Sequence, residues 1–313
     1  MIPATAHFIW FGRELPWVHV LAIRSALEAG GFERAVLHHA DDLSGSPWWP
    51  ELLAMPGFEA RPLDPEALFA EASIHGVGLF ALFERLAQPA GRANMVRAAI
   101  LAVEGGVYLD LDTVTVKPLD ALREGAGVFC GEEHIALPQS VKESRSPVVL
   151  ARAGAQLALR DVFRRIPSGW SPFRRIERMY PRAVNNAVLG AEAGHPFMVD
   201  LVERMVLLTP ARQTVRFALG THLLQQAVAE SRWPDVVVHA PDVFYPLGPE
   251  ISEHWFRPGL APRLGDVLRP STRVVHWYAS VRTKDIAPQI DPDYVRAHAH
   301  EQLFSALARR FVQ

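Results

Sequence analysis

The sequence is poor in the features that mark secreted, membrane-spanning or nucleic-acid-binding proteins. It has one cysteine, Cys130, in 313 residues, so no intramolecular disulfide is possible. Cys130 lies in the apolar run 127–131, which predicts a buried small side chain. No stretch of about 18 uncharged apolar residues is present, as a membrane-spanning helix would require. The formal net charge of −2 lacks the basic excess of a general nucleic-acid binder.

From the sequence we expect neither a leader peptide nor a division into domains. Residues 1–7 have neither the basic start nor the apolar run of a signal peptide, so we expect a cytoplasmic location. No repeat, low-complexity tract or long Pro/Gly linker is visible, and with 49% hydrophobic residues the chain can bury a large core. These observations predict one domain.

Strand and helix patterns alternate through the first half. Strands are predicted near 6–11, 34–39 and 127–132, with another near 273–278. Helices are predicted over 93–104, 197–208, 222–230 and 294–312. This alternation predicts an α/β fold, with a parallel-rich central sheet and helices on both faces.

Two carboxylates follow an apolar strand at residues 107–112. Because alternate strand side chains share a face, we expect Tyr108, Asp110 and Asp112 to project together into a cleft. Carboxylate oxygens suit Mg²⁺ or Mn²⁺, and such an ion can bridge protein carboxylates to phosphate oxygens. An Asp-x-Asp triplet alone is a weak signal, because many are surface turns.

The preceding helix carries one polar pair, Asn94 and Arg97, in an otherwise apolar stretch. Residues three apart lie on one helix face, and a turn at Gly105-Gly106 could bring this pair near the carboxylates. A solvated stripe on the helix is an equally good interpretation of the spacing alone.

Five segments in a fixed order resemble the DXD-containing glycosyltransferases of family 32, relatives of the clostridial glucosylating toxins. The order of the segments is more specific than any one of them. They are residues 2–16, with His7-Phe8-Ile9-Trp10-Phe11-Gly12; residues 93–112; residues 185–197, with Asn185-Asn186-Ala187-Val188 and Gly194-His195-Pro196-Phe197; Phe244-Tyr245-Pro246-Leu247; and Val274-Val275-His276-Trp277-Tyr278-Ala279-Ser280.

The resemblance implies a GT-A nucleotide-diphosphosugar transferase fold over 1–313. The donor-binding half would cover about 1–135, and the acceptor-side and lid half about 136–313. It also implies transfer of a hexose, with retained anomeric configuration, from a nucleotide-sugar. UDP-hexose is favoured over GDP-mannose, and Mn²⁺ or Mg²⁺ is the expected cofactor. The acceptor, whether glycan, lipid-linked or protein, is not implied, and no dedicated general base is nominated.

The resemblance also implies a role for individual residues of the donor site. Trp10 would stack on the nucleobase, Asn94 would hydrogen-bond the donor sugar, and Arg97 would contact the sugar and phosphates. Tyr108 would contact the donor, Asp110 would bridge the ribose or sugar to the metal, and Asp112 would bind the metal directly. Asn186 or, less favoured, Asn185 would lie near the sugar. Asn94 departs from the family, which usually has aspartate at this place.

The C-terminal segment is where further metal contacts would come from. His276 and Ser280 are the candidates, and imidazole suits Mn²⁺ better than Mg²⁺. The family often follows its serine with tryptophan, whereas this chain has Val281. A stacking lid is therefore either absent or supplied by Trp277 or Tyr278.

Residues 163–182 are rich in arginine and aromatic side chains, with Glu177 as the only acid. Such a region could contact an anionic acceptor or the surface of a membrane. The favoured interpretation is a solvated loop and helix face.

Two other functions remain open at this point. Asp110 and Asp112 also fit the nucleophile and acid of a haloacid dehalogenase-type phosphatase. That motif usually lies on a first strand, and the downstream Gly265-Asp266 lacks a further acid, since Pro270 stands at the expected place. A non-catalytic nucleotide-sugar binding protein is the remaining alternative.

Overall fold

The structure is a computed structural model that describes residues 1–259, 263–281 and 283–312. Its strands are β1 (Thr5–Trp10), β2 (Arg34–His39), β3 (Phe58–Pro62), β4 (Gly106–Leu109), β5 (Thr113–Thr115), β6 (Val128–His134), β7 (Arg182–Ala191), β8 (Val236–His239) and β9 (Val274–His276).

Helices connect and cover these strands. They are α1 (Trp17–Ala29), α2 (Trp49–Leu53), α3 (Pro65–Ala72), α4 (Gly76–Arg85), α5 (Pro89–Val103), α6 (Asp120–Glu124), α7 (Gln139–Lys142), α8 (Pro147–Arg165), α9 (Trp170–Ile176), α10 (Pro196–Leu207), α11 (Pro210–Gln213), α12 (Leu223–Ala229), α13 (Pro241–Phe244), α14 (Leu264–Val267), α15 (Pro292–His298) and α16 (Leu303–Ala308). Short 3₁₀ turns cover Glu177–Met179, Ser252–Trp255, Ala287–Gln289 and Arg309–Phe311, and a π-helical turn covers Ala218–His222. None of the helices in the described ranges is long and apolar enough to span a membrane.

The central sheet has the strand order β3-β2-β1-β4-β7-β6-β8. Strand β7 is antiparallel to both of its neighbours, and the other six strands share one direction. The predicted parallel-rich α/β sheet is therefore confirmed. Strands on both sides of residue 135 belong to this one sheet.

Two hydrophobic cores cover the two faces of the sheet. Because strand side chains alternate, Phe8 and Leu109 pack into the core beneath α1, whereas Ile9 and Tyr108 pack into the core beneath α5 and α10. The prediction of helices on both faces is confirmed.

A tight turn joins α5 to β4 and sets the position of the site residues on both. Gly105 and Gly106 have φ values of +67° and +94°. A Cβ atom on Gly105 would lie 2.5 Å from the backbone nitrogen of Ala193. Only glycine meets both requirements, so this pair holds the C-terminus of α5 against the start of β4.

The C-terminal helix predicted over 294–312 is interrupted. Helix α15 ends at His298 and α16 begins at Leu303, and Gln302 between them donates to the Tyr294 hydroxyl at 3.0 Å. The break allows Phe304 to enter the core, with its ring 5.4 Å from that of Trp277. Tertiary packing outweighs helical periodicity here.

Candidate active site

The site lies at the edge of the sheet where parallel strands end. Strands β1, β4 and β6 run in one direction, so their carboxyl ends meet at this edge. Trp10 ends β1, Asp110 directly follows β4, and Glu133 lies near the end of β6. All three line one cavity of about 1070 Å³. A cavity of this size accommodates a nucleotide-sized ligand with room for a second substrate.

The two aspartates are in a turn rather than on the strand, which corrects the prediction from strand alternation. Strand β4 ends at Leu109, and residues 111–112 form a turn that leads into β5. The Asp110 N–H still donates to the Ala187 carbonyl at 2.8 Å, and the Thr113 hydroxyl donates to the Asp110 carbonyl at 2.7 Å. These bonds hold the turn, so the placement of the aspartates depends on it and not on a strand face.

Pairing of β5 with β9 brings the C-terminal histidine to the aspartates. Thr113 is opposite His276 in this two-stranded sheet. Potential ligand atoms of Asp110, Asp112 and His276 all lie within 4.8 Å of one another. Within the described parts of the chain, this is the group of three such side chains that could share one metal ion.

Hydrogen bonds hold Asp112 firmly within this group. Its Oδ1 lies 3.0 Å from His276 Nε2, and its Oδ2 accepts the Ala279 N–H at 2.8 Å. Burial opposes ionisation of Asp112, but His276 and the Ala279 N–H hold the pKa of Asp112 below its ordinary value. Burial likewise opposes the imidazolium, yet Asp112 raises the pKa of His276.

The residues present fit a divalent cation. Two carboxylates and one imidazole are a hard-to-borderline donor set that suits Mn²⁺. The His276 Nδ1 atom is buried and has no hydrogen-bond partner among the described residues. A buried polar atom without a partner is costly, which is consistent with a ring that binds something further.

Arg97 joins α5 to the carboxylate turn. Its guanidinium donates to Asp110 Oδ1 at 2.9 Å, to the Tyr108 hydroxyl at 3.3 Å and, through a short contact, to the Asn186 carbonyl. It also lies 4.0 Å from the centre of the Tyr108 ring. Burial opposes the charge, but Asp110 raises the pKa of Arg97, so a fixed positive charge lines the cavity.

Asn94, one turn before Arg97, also reaches the cavity. Its Oδ1 accepts a hydrogen bond of 2.9 Å from Asn186 Nδ2, so α5 and β7 are joined there. Asn185 is buried instead, and its Oδ1 accepts the Ala187 N–H at 2.7 Å. The geometry thus brings Asn186 beside Asn94, whereas Asn185 supports the backbone of β7.

Trp10 is half-buried at the end of β1. Its ring lies 4.8 Å from that of His19, and His19 Nδ1 lies 2.9 Å from the Leu111 carbonyl. The Trp10 Nε1 atom is buried without a partner in the described ranges. Trp10 and His19 therefore form one wall of the cavity next to the carboxylate turn.

Neither aromatic residue proposed for a lid is exposed. Trp277 is fully buried and packs against Phe256 and Phe304. Tyr278 is also buried, and its hydroxyl donates to Glu133 at 2.5 Å. Of the two possibilities left open by the sequence, no stacking lid or a lid supplied by Trp277 or Tyr278, the packing of both rings favours the first. Ser280 is exposed and lines the cavity.

Glu133 is a site residue that the sequence analysis missed. Burial raises the pKa of its carboxyl, although hydrogen bonds from Tyr278 and Asn185 oppose this shift. Tyr278 has a left-handed φ of +60°, and the next N–H, that of Ala279, points at Asp112. Glu133 could have been predicted as a site residue from its position at the carboxyl end of a predicted strand.

The arginine-rich region 163–182 is more neutralised than its sequence indicates. Arg164 pairs with Glu253, Arg174 with Asp242 at 2.6 Å, and Arg182 with Glu132. These acids come from distant parts of the chain, so the view that Glu177 alone opposes the arginines is wrong. Arg175 and Arg178 are exposed, as a solvated face predicts.

The arrangement of the site indicates the kind of ligand that it suits. A parallel sheet whose carboxyl edge carries two carboxylates, an imidazole and a buried arginine is suited to a ligand with a diphosphate group. Residues 36–128, which include Asn94, Arg97, Asp110 and Asp112, match the family described as the glycosyltransferase sugar-binding region containing the DXD motif. This part of the chain is therefore similar to the DXD sugar-binding region of glycosyltransferases.

Individual relatives are distant. Glucan organizing enzyme 1 of Cryptococcus neoformans var. grubii is 27% identical over 131 residues, which are 39% of this chain and 32% of that protein. The match thus spans about a third of the relative's length. Among solved structures, the PaToxG glycosyltransferase is 14% identical with a TM-score of 0.46, covering 73% of this chain and 68% of that one. The UDP-bound glycosyltransferase domain of the YGT toxin is 11% identical with a TM-score of 0.43, covering 76% and 79%.

Proposed function

We propose that this protein transfers a hexose from a nucleotide-sugar, with UDP-hexose as the favoured donor and GDP-mannose second, and that the reaction depends on Mn²⁺ or, less effectively, Mg²⁺. The observation that carries the proposal is the convergence of Asp110, Asp112 and His276 beside Arg97 in one cavity. A bound divalent ion would neutralise the departing diphosphate.

The protein's own residues would assist that departure. Asp112 and His276 would hold the ion, with Asp110 bridging it to the donor and Ser280 at the open side of the cavity. Arg97 supplies a fixed positive charge for the leaving diphosphate, where negative charge develops as the glycosyl bond breaks. Asn94, Asn186 and Tyr108 would orient the donor sugar, and Trp10 would stack on the nucleobase.

Retention of anomeric configuration is part of the proposal. Attack on the same face as the leaving group lets a leaving phosphate oxygen accept the proton of the acceptor hydroxyl. No separate general base is then needed. The reaction forms one glycosidic bond and breaks one bond between the anomeric carbon and phosphate oxygen.

The family match favours glycosyl transfer over the phosphatase alternative. Residues 36–128, which contain both aspartates, match the sugar-binding region of DXD glycosyltransferases. Asp110 Oδ1 accepts from Arg97 at 2.9 Å and from the Tyr108 hydroxyl at 2.7 Å, which reduces the nucleophilicity of that oxygen. A phosphatase would therefore have to use Asp110 Oδ2 as its nucleophile, and the hydrolysis of a phosphate ester tests for it.

A panel of nucleotide-sugars tests the proposal, by thermal shift and donor hydrolysis with and without Mn²⁺. We expect metal-dependent stabilisation and slow hydrolysis of one donor, both lost in Asp112→Ala. The matched control is Asp293→Ala, which removes an exposed carboxylate from a surface pair with Arg296. Hydrolysis of a generic phosphate ester without binding of any nucleotide-sugar would support the phosphatase instead.

A further inference from the structure

The cavity has a second, cationic half that the donor site does not use. Residues of α7 and of the segment from α11 to α12 line it, and among them are Lys142, Arg212 and Arg216. None of these three has an ion-pair partner in the described ranges of the chain, whereas Arg164, Arg174 and Arg182 of the region 163–182 are all paired. The cleft's positive charge without an ion-pair partner is therefore concentrated here, and Glu143, which lines the same cavity, opposes it in part.

All three side chains are exposed, and two of them, Lys142 and Arg212, lie near the same side chain of the cavity, His222. Burial lowers the pKa of His222, and the charges of Lys142 and Arg212 lower it further. Glu143, which opposes this effect, accepts a hydrogen bond from Gln139 at 2.5 Å. Two basic side chains from different helices thus lie close enough to act on the same imidazole.

An exposed aromatic ring accompanies the cations. Phe217 is 45% exposed, and the Arg216 guanidinium lies 4.6 Å from the centre of its ring. Its φ is +69°, an uncommon conformation for a residue with a bulky side chain. The Phe217 carbonyl accepts N–H groups from Gly220 at 3.1 Å and His222 at 3.2 Å, which hold this conformation. Strained backbone held in this way is typical of ligand-binding segments.

The same segment contacts the donor half directly. Gly220 packs so closely on Asn94 that an added Cβ atom would lie 2.6 Å from Asn94 Nδ2. Asn94 is the side chain that the proposed function assigns to the donor sugar. The aromatic ring and the cations are therefore in the half of the cavity that an acceptor would occupy.

We infer that the acceptor is a saccharide bearing an anionic group, a carboxylate or a phosphate, that Lys142, Arg212 and Arg216 bind while Phe217 packs on the apolar face of a sugar ring. This inference rests on the proposed function, because it places the acceptor opposite the donor site. The charge would provide long-range attraction, and the ring would provide a contact independent of salt.

Calorimetric titration of the protein loaded with UDP and Mn²⁺ tests the inference. The probes are trigalacturonate, a monophosphorylated maltotriose and uncharged maltotriose, each at 50 and 300 mM NaCl. We expect at least one charged probe to bind at least tenfold more tightly than maltotriose at low salt, and the preference to shrink at high salt. The charged probe that binds identifies carboxylate or phosphate.

The variants separate charge from ring. R212Q/R216Q should abolish the preference for the charged probe, R212K/R216K should restore it, and F217A should weaken all three probes. The control R175Q/R178Q removes the same charge from exposed positions of the region 163–182 that do not line the cavity, and it should bind like the wild type.

Several results would overturn the inference while leaving the proposed function intact. These are equal binding of charged and uncharged probes, a preference that persists in R212Q/R216Q, and no binding of any saccharide to the loaded protein. Failure of UDP and Mn²⁺ to bind at all would instead contradict the proposed function.

Discussion

Replacing Tyr278 with phenylalanine tests whether a buried hydrogen bond supports the candidate metal site. The change removes only the hydroxyl, which donates to Glu133 at 2.5 Å. The ring can keep its place, 4.0 Å from the ring of His276. The variant therefore isolates the contribution of one hydrogen bond next to a candidate metal ligand.

The size of the stability loss in Tyr278→Phe depends on the burial of Glu133 and on the charge that its carboxyl can carry. A hydrogen bond to a charged group contributes about 1.5–3 kcal/mol, and Asn185 still supports the carboxyl after the change. We expect Tyr278→Phe to lower the free energy of unfolding by about 2 kcal/mol. Glu133→Gln keeps an acceptor for the hydroxyl, so its loss should be smaller, about 1 kcal/mol.

The destabilisation caused by Tyr278→Phe should be larger at higher pH. Burial already raises the pKa of Glu133 above that of the unfolded chain, so its ionisation above pH 4.5 costs stability as the pH rises through the folded pKa. Removal of the Tyr278 hydroxyl raises the folded pKa further. The difference between variant and wild type should therefore be larger at pH 8 than at pH 5.5.

Metal affinity is the second readout. Tyr278 holds its backbone at φ +60°, and the adjacent Ala279 N–H orients Asp112. The hydroxyl anchors this residue to Glu133, with its ring against the candidate ligand His276. Loss of an outer-shell hydrogen bond that keeps ligands oriented typically costs 10–100-fold in metal affinity. We expect the Kd for Mn²⁺, measured from the EPR signal of the free ion, to rise by about tenfold.

A second hydroxyl provides the control. Tyr294→Phe removes a hydrogen bond of 3.0 Å to Gln302, away from the cavity. It should affect urea unfolding modestly and leave the Kd for Mn²⁺ unchanged. The reasoning is refuted if Tyr278→Phe has the same Kd for Mn²⁺ as the wild type and a urea midpoint no lower than that of Tyr294→Phe.

Three further predictions concern the site and the core. Asp112→Asn should remove stabilisation by Mn²⁺ in thermal shift, and an unchanged shift would exclude Asp112 as a ligand. Arg97→Lys should reduce kcat at least tenfold, because the single nitrogen of an ammonium cannot replace the two guanidinium nitrogens that bind the Asn186 carbonyl, Tyr108 and Asp110. Steady-state kinetics with the nucleotide-sugar that the panel identifies would measure this loss. Burial lowers the pKa of His7 to about 4 and that of His38 to about 2. The free energy of unfolding should therefore decrease as the pH falls below 6.5. The decrease is about 1.4 kcal/mol per pH unit for each histidine, or about 4 kcal/mol for both at pH 5. Urea unfolding of H7Q/H38Q should show a shallower pH slope, and an equal slope would contradict the assignment.

Much of the fold can be predicted from local patterns in the sequence. Alternating apolar residues predict β1 and β2, and the apolar stretch after residue 93 predicts most of α5. Gly105-Gly106 marks the turn because only glycine readily adopts positive φ at two successive positions. The order of short motifs predicted the resemblance to DXD glycosyltransferases, which the family match over residues 36–128 confirms, because chemistry requires particular residue types at particular spacings.

Tertiary structure alone decided which side chains meet. His276 is 164 residues from Asp112, and only the pairing of β5 with β9 brings them to 3.0 Å. The same holds for Glu133 and Tyr278, and for the acids that neutralise the arginines of the region 163–182. Sequence patterns report periodicity within one element. Long-range contacts depend on how elements pack, and the sites where ligands bind are built almost entirely from such contacts.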